Sequence, residues 1–289
     1  MAQESLSLAI IGGSGLYSMP GLTDTEEHDL ETPFGSPSAP IVTGTLEGRR
    51  VAFLARHGYG HHLTPSEVPY RANIYALKAL GARRLVSINA CGSLRKDFAP
   101  GQIVVPGQLF DNTKSRPRTF FGEGLVAHAG VAEPLCPDLS ASLEEAVRAT
   151  GATVHHGGTF IIIEGPRFST RAESNLYRQW GMDIIGMTTI PEAFLAREAE
   201  LCYAVMAHVT DYDVWHINKE PVTISMVIKT LNHNTEVAQQ AVRNLVKGLK
   251  PEQPCGCENA MANAFLTDPA VIPPDTRQKL DLLVKKYLK

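Results

Sequence analysis

The sequence predicts an α/β fold: a twisted, largely parallel or mixed central sheet flanked by helices. Short apolar runs alternate with amphipathic helical patterns, and polar residues follow the ends of the runs. The first run, residues 8–11, ends in two glycines and is typical of a buried strand. Residues 70–80 place Tyr70, Ile74 and Leu77 on one helical face, and Gly81 follows as a stop.

The remaining elements follow from the same two patterns. Neither a long linker nor an internal repeat divides the 289 residues, so we expect one domain over residues 1–289, with a helical C-terminal extension at about 250–289. Residues 111–133 lack clear periodicity and are expected to form a functional loop or a subunit contact. We predict further strands at 51–55, 85–88, 103–105, 160–163, 183–188 and 201–209, and further helices at 137–150, 170–180, 191–200, 234–249 and 276–288.

Composition and charge exclude several classes of partner. The formal net charge of −3 argues against a protein that binds nucleic acid, which usually carries a basic excess. No apolar run approaches the ~20 residues of a membrane span. The residues before the first strand carry acid rather than the basic start of a secretory signal. We therefore expect a cytoplasmic protein with neither nucleic-acid nor membrane partners.

The cysteine pattern predicts mostly reduced thiols. An odd number of cysteines in scattered apolar contexts is typical of intracellular proteins. Only Cys255 and Cys257, separated by one glycine, stand out. A zinc site would need a second ligand pair, and none is found at the usual spacing. We interpret the pair as two solvent-near thiols beside a proline-rich turn and expect no metal; a local disulfide remains an alternative.

Anion donors follow several of the predicted strands. In open α/β sheets, ligands bind in the crevice outside the carboxyl ends of the strands. The glycines around Ser14 let backbone N–H groups approach an anion, although the segment matches neither the Walker nor the Rossmann pattern. A guanidinium at Arg56 fits two phosphate oxygens bidentately, and His57 adds a second donor. With no carboxylate cluster for Mg²⁺ beside them, the candidate phosphate ligands are Ser14, Arg56, His57, Asn89, Ala90 and Thr188.

Two carboxyl groups, those of Asp211 and Asp213, are the candidates for recognising the purine base. Two residues apart in an extended segment, they would point the same way. Adenine presents an acceptor at N7 and a donor at its 6-amino group, so a protonated acid and a carboxylate match it. A 6-oxopurine would leave buried groups unsatisfied, at about 1–3 kcal/mol each. The pair therefore favours 6-amino substrates.

A series of short motifs follows the predicted strands and helices: Gly12-Gly13-Ser14-Gly15, Thr32-Pro33-Phe34-Gly35, Leu54-Ala55-Arg56-His57-Gly58, Ala72-Asn73-Ile74, Asn89-Ala90-Cys91-Gly92-Ser93-Leu94, Glu164-Gly165-Pro166-Arg167-Phe168-Ser169, Met187-Thr188-Thr189-Ile190-Pro191-Glu192 and Thr210-Asp211-Tyr212-Asp213. In this order, across residues 8–249, they resemble the 5'-methylthioadenosine phosphorylase family. The resemblance implies a nucleoside phosphorylase fold, inorganic phosphate as co-substrate with no other cofactor, and a homo-oligomer, either a trimer or a hexamer. Many relatives have Ser or Thr at the position of Asn89.

The resemblance also implies a role for each candidate. The phosphate ligands above match the family's phosphate site, and Asp211 and Asp213 become the catalytic and base-binding pair. Phe168 would stack on the base, and Met187 would contact the sugar. Ser169 and Ile224 match positions linked to the choice of 5' substituent. Val227 and Ile228, one helical turn from Ile224, would complete an apolar wall suited to a methylthio group.

The implied reaction converts methylthioadenosine and phosphate to adenine and 5-methylthioribose 1-phosphate, a step in purine and methionine salvage. Three alternatives stay open. The first is a purine nucleoside phosphorylase acting on methylthioinosine, inosine or adenosine. The second is a nucleosidase that uses water, and the third is a nucleoside sensor without turnover.

Overall fold

Eleven strands of the described residues form one mixed sheet. The computed structural model describes residues 6–13, 19–216, 224–250 and 255–288. The strands are β1 (Leu8–Gly12), β2 (Thr23–His28), β3 (Ile41–Leu46), β4 (Arg49–Ala55), β5 (Arg84–Ser93), β6 (Ile103–Val105), β7 (Gln108–Asn112), β8 (Val154–His156), β9 (Thr159–Ile163), β10 (Ile184–Gly186) and β11 (Cys202–Asp211).

Helices connect the strands and cover the sheet. Six α-helices lie within the described ranges, together with two short 3₁₀ turns at Gly256–Asn259 and Pro269–Val271. No helix in this part of the chain is long and apolar enough to cross a membrane. The helices are α1 (Tyr70–Ala79), α2 (Pro137–Arg148), α3 (Arg171–Gln179), α4 (Thr189–Glu198), α5 (Ile224–Gly248) and α6 (Pro274–Val284).

The sheet forks at β5. The main path runs β2-β3-β4-β1-β5-β10-β9-β7, and β11, β6 and β8 branch from the other side of β5. Strand β1 pairs with β5 in parallel only as far as Ser87, whereas β10 pairs with it antiparallel from Gly92. Residues 88–91 therefore have no strand neighbour on that side within the described ranges. The gap opens a crevice at a switch point of the sheet, where α/β proteins bind ligands.

Side chains from the two faces of the sheet enter two apolar clusters. On β1, Ala9 and Ile11 face one cluster, and Leu8 and Ile10 face the other, as strand alternation requires. Helices α1, α4 and α6 pack on the first face, and α2 and α5 on the second. Because both faces are covered, β1 is fully buried and reads as a continuous apolar run.

The predicted fold class is confirmed, with differences at particular elements. The sheet is mixed, because β2, β3, β6 and β10 each take part in an antiparallel pairing. Helix α5 begins at Ile224, ten residues before its expected start, and runs through the Asn-His-Asn stretch at 232–234, because low helix propensity is only a weak predictor of where a helix begins. The C-terminal segment packs on the same cores as the sheet: α6 joins the first cluster, and Cys257 joins the second.

The interpretation of Cys255 and Cys257 as an isolated, solvent-near pair is wrong. Cys257 is buried, and the Sγ atoms of both residues lie within 4.8 Å of those of Cys136 and Cys202. The second ligand pair that the sequence spacing did not supply is brought in by the fold, from the start of α2 and the start of β11. Local spacing rules miss such a cluster because Cys136 and Cys202 are each more than 50 residues from every other member.

Candidate active site

A cavity of about 260 Å³ lies at the fork of the sheet. Its wall combines β5, β10 and β11 with the loops after β4 and β9 and part of α5. Ser14 lies outside the described residues. Ile224, Val227 and Ile228 fall in α5, and their side chains are likewise outside the described part. The predicted site residues that line the cavity are Arg56, His57, Asn89, Ala90, Phe168, Ser169, Met187, Thr188, Asp211 and Asp213.

The bidentate partner of Arg56 is a carboxylate of the protein itself. Arg56 Nε donates to Glu192 Oε2 at 3.0 Å and Nη2 reaches Oε1 at 3.2 Å, with the two residues 2% and 1% exposed. Nη2 also donates to Ser87 Oγ, and Nη1 donates to the carbonyl of Ile88. One Nη1 hydrogen is left without a partner among the described residues. Arg56 therefore lacks the free fork that we expected for phosphate, and it offers a single N–H from a neutralised ion pair.

Two more predicted anion ligands belong to the same hydrogen-bond network. The Thr188 hydroxyl donates to Asn89 Oδ1 at 2.8 Å, and Asn89 Nδ2 donates to Ser87 Oγ at 2.9 Å. Ser87 in turn donates to Glu192 Oε1. The Thr188 hydrogen is thus committed, while the second Nδ2 hydrogen of Asn89 has no partner in the described structure. Asn89 acts as a bridge that fixes Thr188 and keeps one N–H available.

His57 presents an acceptor rather than the donor we expected. Its Nδ1 lies 2.8 Å from the carbonyl of Leu63, which can only accept, so Nδ1 carries the hydrogen. Burial, and next the cation of Arg56, lower the pKa of His57 to about 4. The ring is therefore neutral near pH 7, and Nε2 holds a lone pair. Its ring also stacks on His61, with the two centroids 4.2 Å apart.

The carboxyl of Asp211 is set up to hold a proton. It ends β11, where Oδ1 accepts from the backbone N–H of Asp213 and Oδ2 lies 2.7 Å from Thr210 Oγ1. The single hydrogen of Thr210 also faces the carbonyl of Cys91 at 3.2 Å. A protonated Asp211 satisfies both contacts, because it donates to Thr210 while Thr210 donates to Cys91. Burial raises the pKa of Asp211 in the same direction.

A turn, and not an extended segment, brings Asp213 beside Asp211. Asp213 has a φ of 50°, so the strand alternation that we invoked for the pair was the wrong reason. Both residues converge on Gly92, where an added Cβ would lie 3.0 Å from Asp211 Oδ1 and 3.3 Å from Asp213 Cβ. Asp213 Oδ2 is buried without a hydrogen-bond partner among the described residues. Burial raises the pKa of Asp213 to about 6.

An arginine that the sequence did not single out holds the loops of the opposite wall. Arg116 comes from the aperiodic segment 111–133 and is buried. Its guanidinium donates to the backbone carbonyls of Glu164, Met187 and Ile190. These bonds fix the strand exits that precede Phe168 and follow β10. Phe168 itself is 41% exposed at the cavity, so its ring is accessible to a flat ligand.

Sequence reasoning missed further groups at this site. The two ring nitrogens of His208 are buried in the cavity wall without partners in the described structure, as is the Oγ of Ser169, a residue that the sequence did predict. Burial lowers the pKa of His208 to about 4, so its ring is neutral. A histidine inside an apolar strand gave no signal of a site, since such residues are commonly core residues. Glu192 stood within a recognised motif, but only its contact with Arg56 shows its role.

The chain belongs to the phosphorylase superfamily, whose family model matches residues 7–247. Within that superfamily it is similar, over nearly its whole length, to S-methyl-5'-thioadenosine phosphorylases. It is 52% identical to the protein of that name from Geobacter sulfurreducens, over 97% of this chain and 99% of that protein. It is 48% identical to the one from Thermofilum pendens, over 91% of this chain and all of that protein.

Solved structures give the same result for the fold. A methylthioadenosine phosphorylase from an antarctic soil metagenomic library superimposes with a TM-score of 0.93 at 48% identity, covering 97% of this chain and 99% of that one. Methylthioadenosine phosphorylase from Schistosoma mansoni in complex with adenine gives 0.83 at 33% identity, covering 97% and 98%. The nucleoside phosphorylase type of fold is thereby confirmed.

Proposed function

We propose that this chain cleaves S-methyl-5'-thioadenosine with inorganic phosphate, releasing adenine and 5-methylthioribose 1-phosphate. The relatives that bear this activity in their names match nearly the whole chain. The observation that carries the proposal is the meeting of two proton-binding carboxyls, Asp211 and Asp213, with the anion donors of Arg56 and Asn89 in one cavity. The products supply purine and methionine salvage.

Phosphate is bound by directed hydrogen bonds rather than by a free cation. Arg56 Nη1 and Asn89 Nδ2 each have one hydrogen to donate. The hydrogen phosphate dianion also carries a P–OH group, which pairs with the lone pair on His57 Nε2. Ala90 pairs with β11 on one side but has no strand neighbour on the side of β1 and β10, where these groups lie. Ser14 remains part of the proposal on the basis of the sequence alone.

The base is released with a proton from Asp211. As the bond from C1' to N9 breaks, its electron pair moves into the purine, and N7 takes the proton of Asp211. An oxygen of phosphate then forms the new bond to C1', which has oxocarbenium character as in other glycoside cleavages. Asp213 accepts a hydrogen bond from the 6-amino group through its unpartnered Oδ2. Charge on the leaving base is thereby stabilised where it develops.

The sugar and its 5' substituent occupy the side of the cavity between Met187 and α5. Asn234, Thr235 and Ala238 of α5 line the cavity, which supports a contact between that helix and the substrate. Ile224, Val227 and Ile228 are proposed to form the apolar wall for the methylthio group, with Ser169 nearby. Phe168 stacks on the base, and its exposed ring is accessible for this contact.

We propose a homo-oligomer, a trimer or a hexamer, in which a neighbouring copy covers the open side of the site. Exposed apolar side chains support such a contact: Phe168 is 41% exposed and Trp180 is 50% exposed. Light scattering coupled to size exclusion measures the mass directly. A monomer at working concentration contradicts this part of the proposal and leaves the chemistry standing.

The test of the activity is release of adenine from methylthioadenosine with and without phosphate. We expect cleavage to need phosphate, and we expect Asp211→Asn to lower kcat by about 10²–10⁴-fold, the usual contribution of a general acid. Methylthioinosine, inosine and adenosine are run in parallel. Preference for methylthioinosine would overturn the proposed recognition of the base by Asp211 and Asp213. Cleavage without phosphate would indicate a nucleosidase. Tight binding of methylthioadenosine without turnover would indicate a sensor.

A further inference from the structure

Four of the five cysteines meet at a second place in the fold, away from the cavity. Cys136 immediately precedes α2, Cys202 begins β11, and Cys255 and Cys257 flank the start of a 3₁₀ turn. Their four Sγ atoms all lie within 4.8 Å of one another. None of the four lines the cavity, where the fifth cysteine, Cys91, is found. The cluster is therefore independent of the proposed reaction.

The spacing of the sulfurs suits a tetrahedral metal ion. Four thiolates bind zinc at about 2.3 Å each, which places neighbouring sulfurs roughly 3.8 Å apart. All four sulfurs lie within 4.8 Å of one another, and those of Cys202 and Cys255 are only 2.8 Å apart, so the set reaches this geometry by side-chain adjustments of about an ångström, inward for the longest distances and outward for this pair. Cys136 and Cys257 are buried and the other two are partly buried, so solvent does not enter between them freely. A closed set of four thiolates is the pattern of a structural zinc site.

Groups around the cluster offset the negative charge of four thiolates. Arg197 Nη1 donates to the sulfur of Cys257 at 3.7 Å, and its Nε is fixed on the carbonyl of Gly130. Cys136 stands at the N-terminus of α2, a twelve-residue helix whose dipole favours negative charge there. The backbone N–H of Cys136 is held by the carbonyl of Tyr203, next to Cys202. The ligands from α2 and β11 are thus placed by the sheet before any ion binds.

We propose that Cys136, Cys202, Cys255 and Cys257 form a structural site for one Zn²⁺ ion. The ion would fasten the C-terminal segment 255–288 to α2 and β11. Cys202 and Cys255 are 53 residues apart, so the ion closes a long loop and restricts the unfolded chain. It takes no part in the chemistry of the cavity. Its loss lowers the melting temperature and loosens the C-terminal segment.

The experiment measures metal content and ligand type on the full chain, purified anaerobically with reductant and zinc. After desalting against a weak chelator, elemental analysis is expected to find one zinc per chain. Replacement by Co²⁺ is expected to give the intense visible bands of tetrahedral thiolate coordination. Cys255→Ser is expected to lose both signals. Cys91→Ser is the matched control, because it removes the one cysteine outside the cluster, and it is expected to keep them.

A second measurement guards against a variant that fails to fold. Titration of the wild-type thiols with an organic mercurial, followed by a zinc indicator dye, is expected to release the ion as the cluster is modified. Absence of retained zinc together with absence of cobalt–thiolate bands overturns the proposal. So does an intact mass that is lower by two hydrogens per bridge in the anaerobically purified chain, because the thiols would then be paired as disulfides.

Discussion

Replacing Glu192 by Gln tests the ion pair that organises the proposed phosphate site. The substitution keeps the shape of the side chain and removes its charge. Glu192 accepts from Arg56, Ser87 and Tyr203, and none of its four hydrogen bonds is exposed to solvent. Removing one partner of a buried ion pair costs about 3–5 kcal/mol, because the other charge stays buried and uncompensated. We expect Glu192→Gln to lose this amount of unfolding free energy.

The loss converts to a measurable shift in melting temperature. Unfolding entropy is about 2.1 cal/mol/K per residue, which gives roughly 0.6 kcal/mol/K for 289 residues. A loss of 3–5 kcal/mol therefore lowers Tm by about 5–8 °C in a thermal scan at matched protein concentration. Glu123→Gln is the control: Glu123 pairs with Lys279 while 66% exposed, and such surface pairs contribute at most about 1 kcal/mol.

Added phosphate distinguishes a role of Glu192 as counter-ion of Arg56 from a purely structural role. Without Glu192 the cation of Arg56 is unbalanced, so added phosphate is expected to raise the Tm of the variant by more than that of the wild type. Binding to the folded state stabilises it in proportion to RT ln(1 + [L]/Kd). A variant as stable as the control would refute the reasoning, because the fork of Arg56 would then be free in the unliganded chain.

Three further predictions concern the base side of the cavity. Asp213→Asn is expected to gain about 3 kcal/mol of stability over the wild type at pH 8 and almost nothing at pH 3.5, as measured by urea melts at both pH values. A carboxyl whose folded-state pKa is raised to about 6 from an ordinary 3.9 costs stability as pH rises through that interval, and the asparagine carries no such cost. Phe168→Ala is expected to raise the KM for the nucleoside about tenfold in initial-rate kinetics, because stacking on a base contributes about 1–3 kcal/mol. The KM for phosphate is expected to stay within twofold, and equal rises in both KM values would contradict a stacking role. Gly92→Ala is expected to lower kcat by about 10²-fold, since its Cβ would lie 3.0 Å from Asp211 Oδ1 and displace that carboxyl. An unchanged kcat would mean that the position of this carboxyl is not critical.

Much of the fold was predictable because short local runs of apolar residues encode its buried strands. Strands β1, β4 and β9 are apolar runs that end in glycine or charged residues, and their bounds agree with expectation to within two residues. Strand β2 was not predictable in this way. Its sequence, Thr-Asp-Thr-Glu-Glu-His, has five exposed residues, because it lies at the edge of the sheet with no face toward the core.

The candidate site was predictable as a set of residues but not as a set of contacts. Arg56, Asn89 and Asp211 were identified because they follow the ends of predicted strands, and the sheet brings them to one cavity, although β5 continues past its predicted end and contains Asn89. Their hydrogen-bond roles depend on partners elsewhere in the chain: Glu192 is 136 residues from Arg56. Whether Arg56 faces phosphate with two donors or one is decided by that partner. No local pattern in the sequence contains this information.

The surroundings of Asp211 and Asp213 likewise depend on residues that no local sequence pattern contains. Sequence spacing placed both groups on one face of a strand, whereas the fold gives them different surroundings. Asp211 has both oxygens engaged, Oδ2 by the hydroxyl of Thr210 and Oδ1 by the backbone N–H of Asp213. Asp213 leaves one buried oxygen unsatisfied in the described structure, and ionising it is costly until a donor arrives. A 6-amino group is such a donor and a 6-oxo group is not, so binding of the right base relieves a cost that the empty site carries.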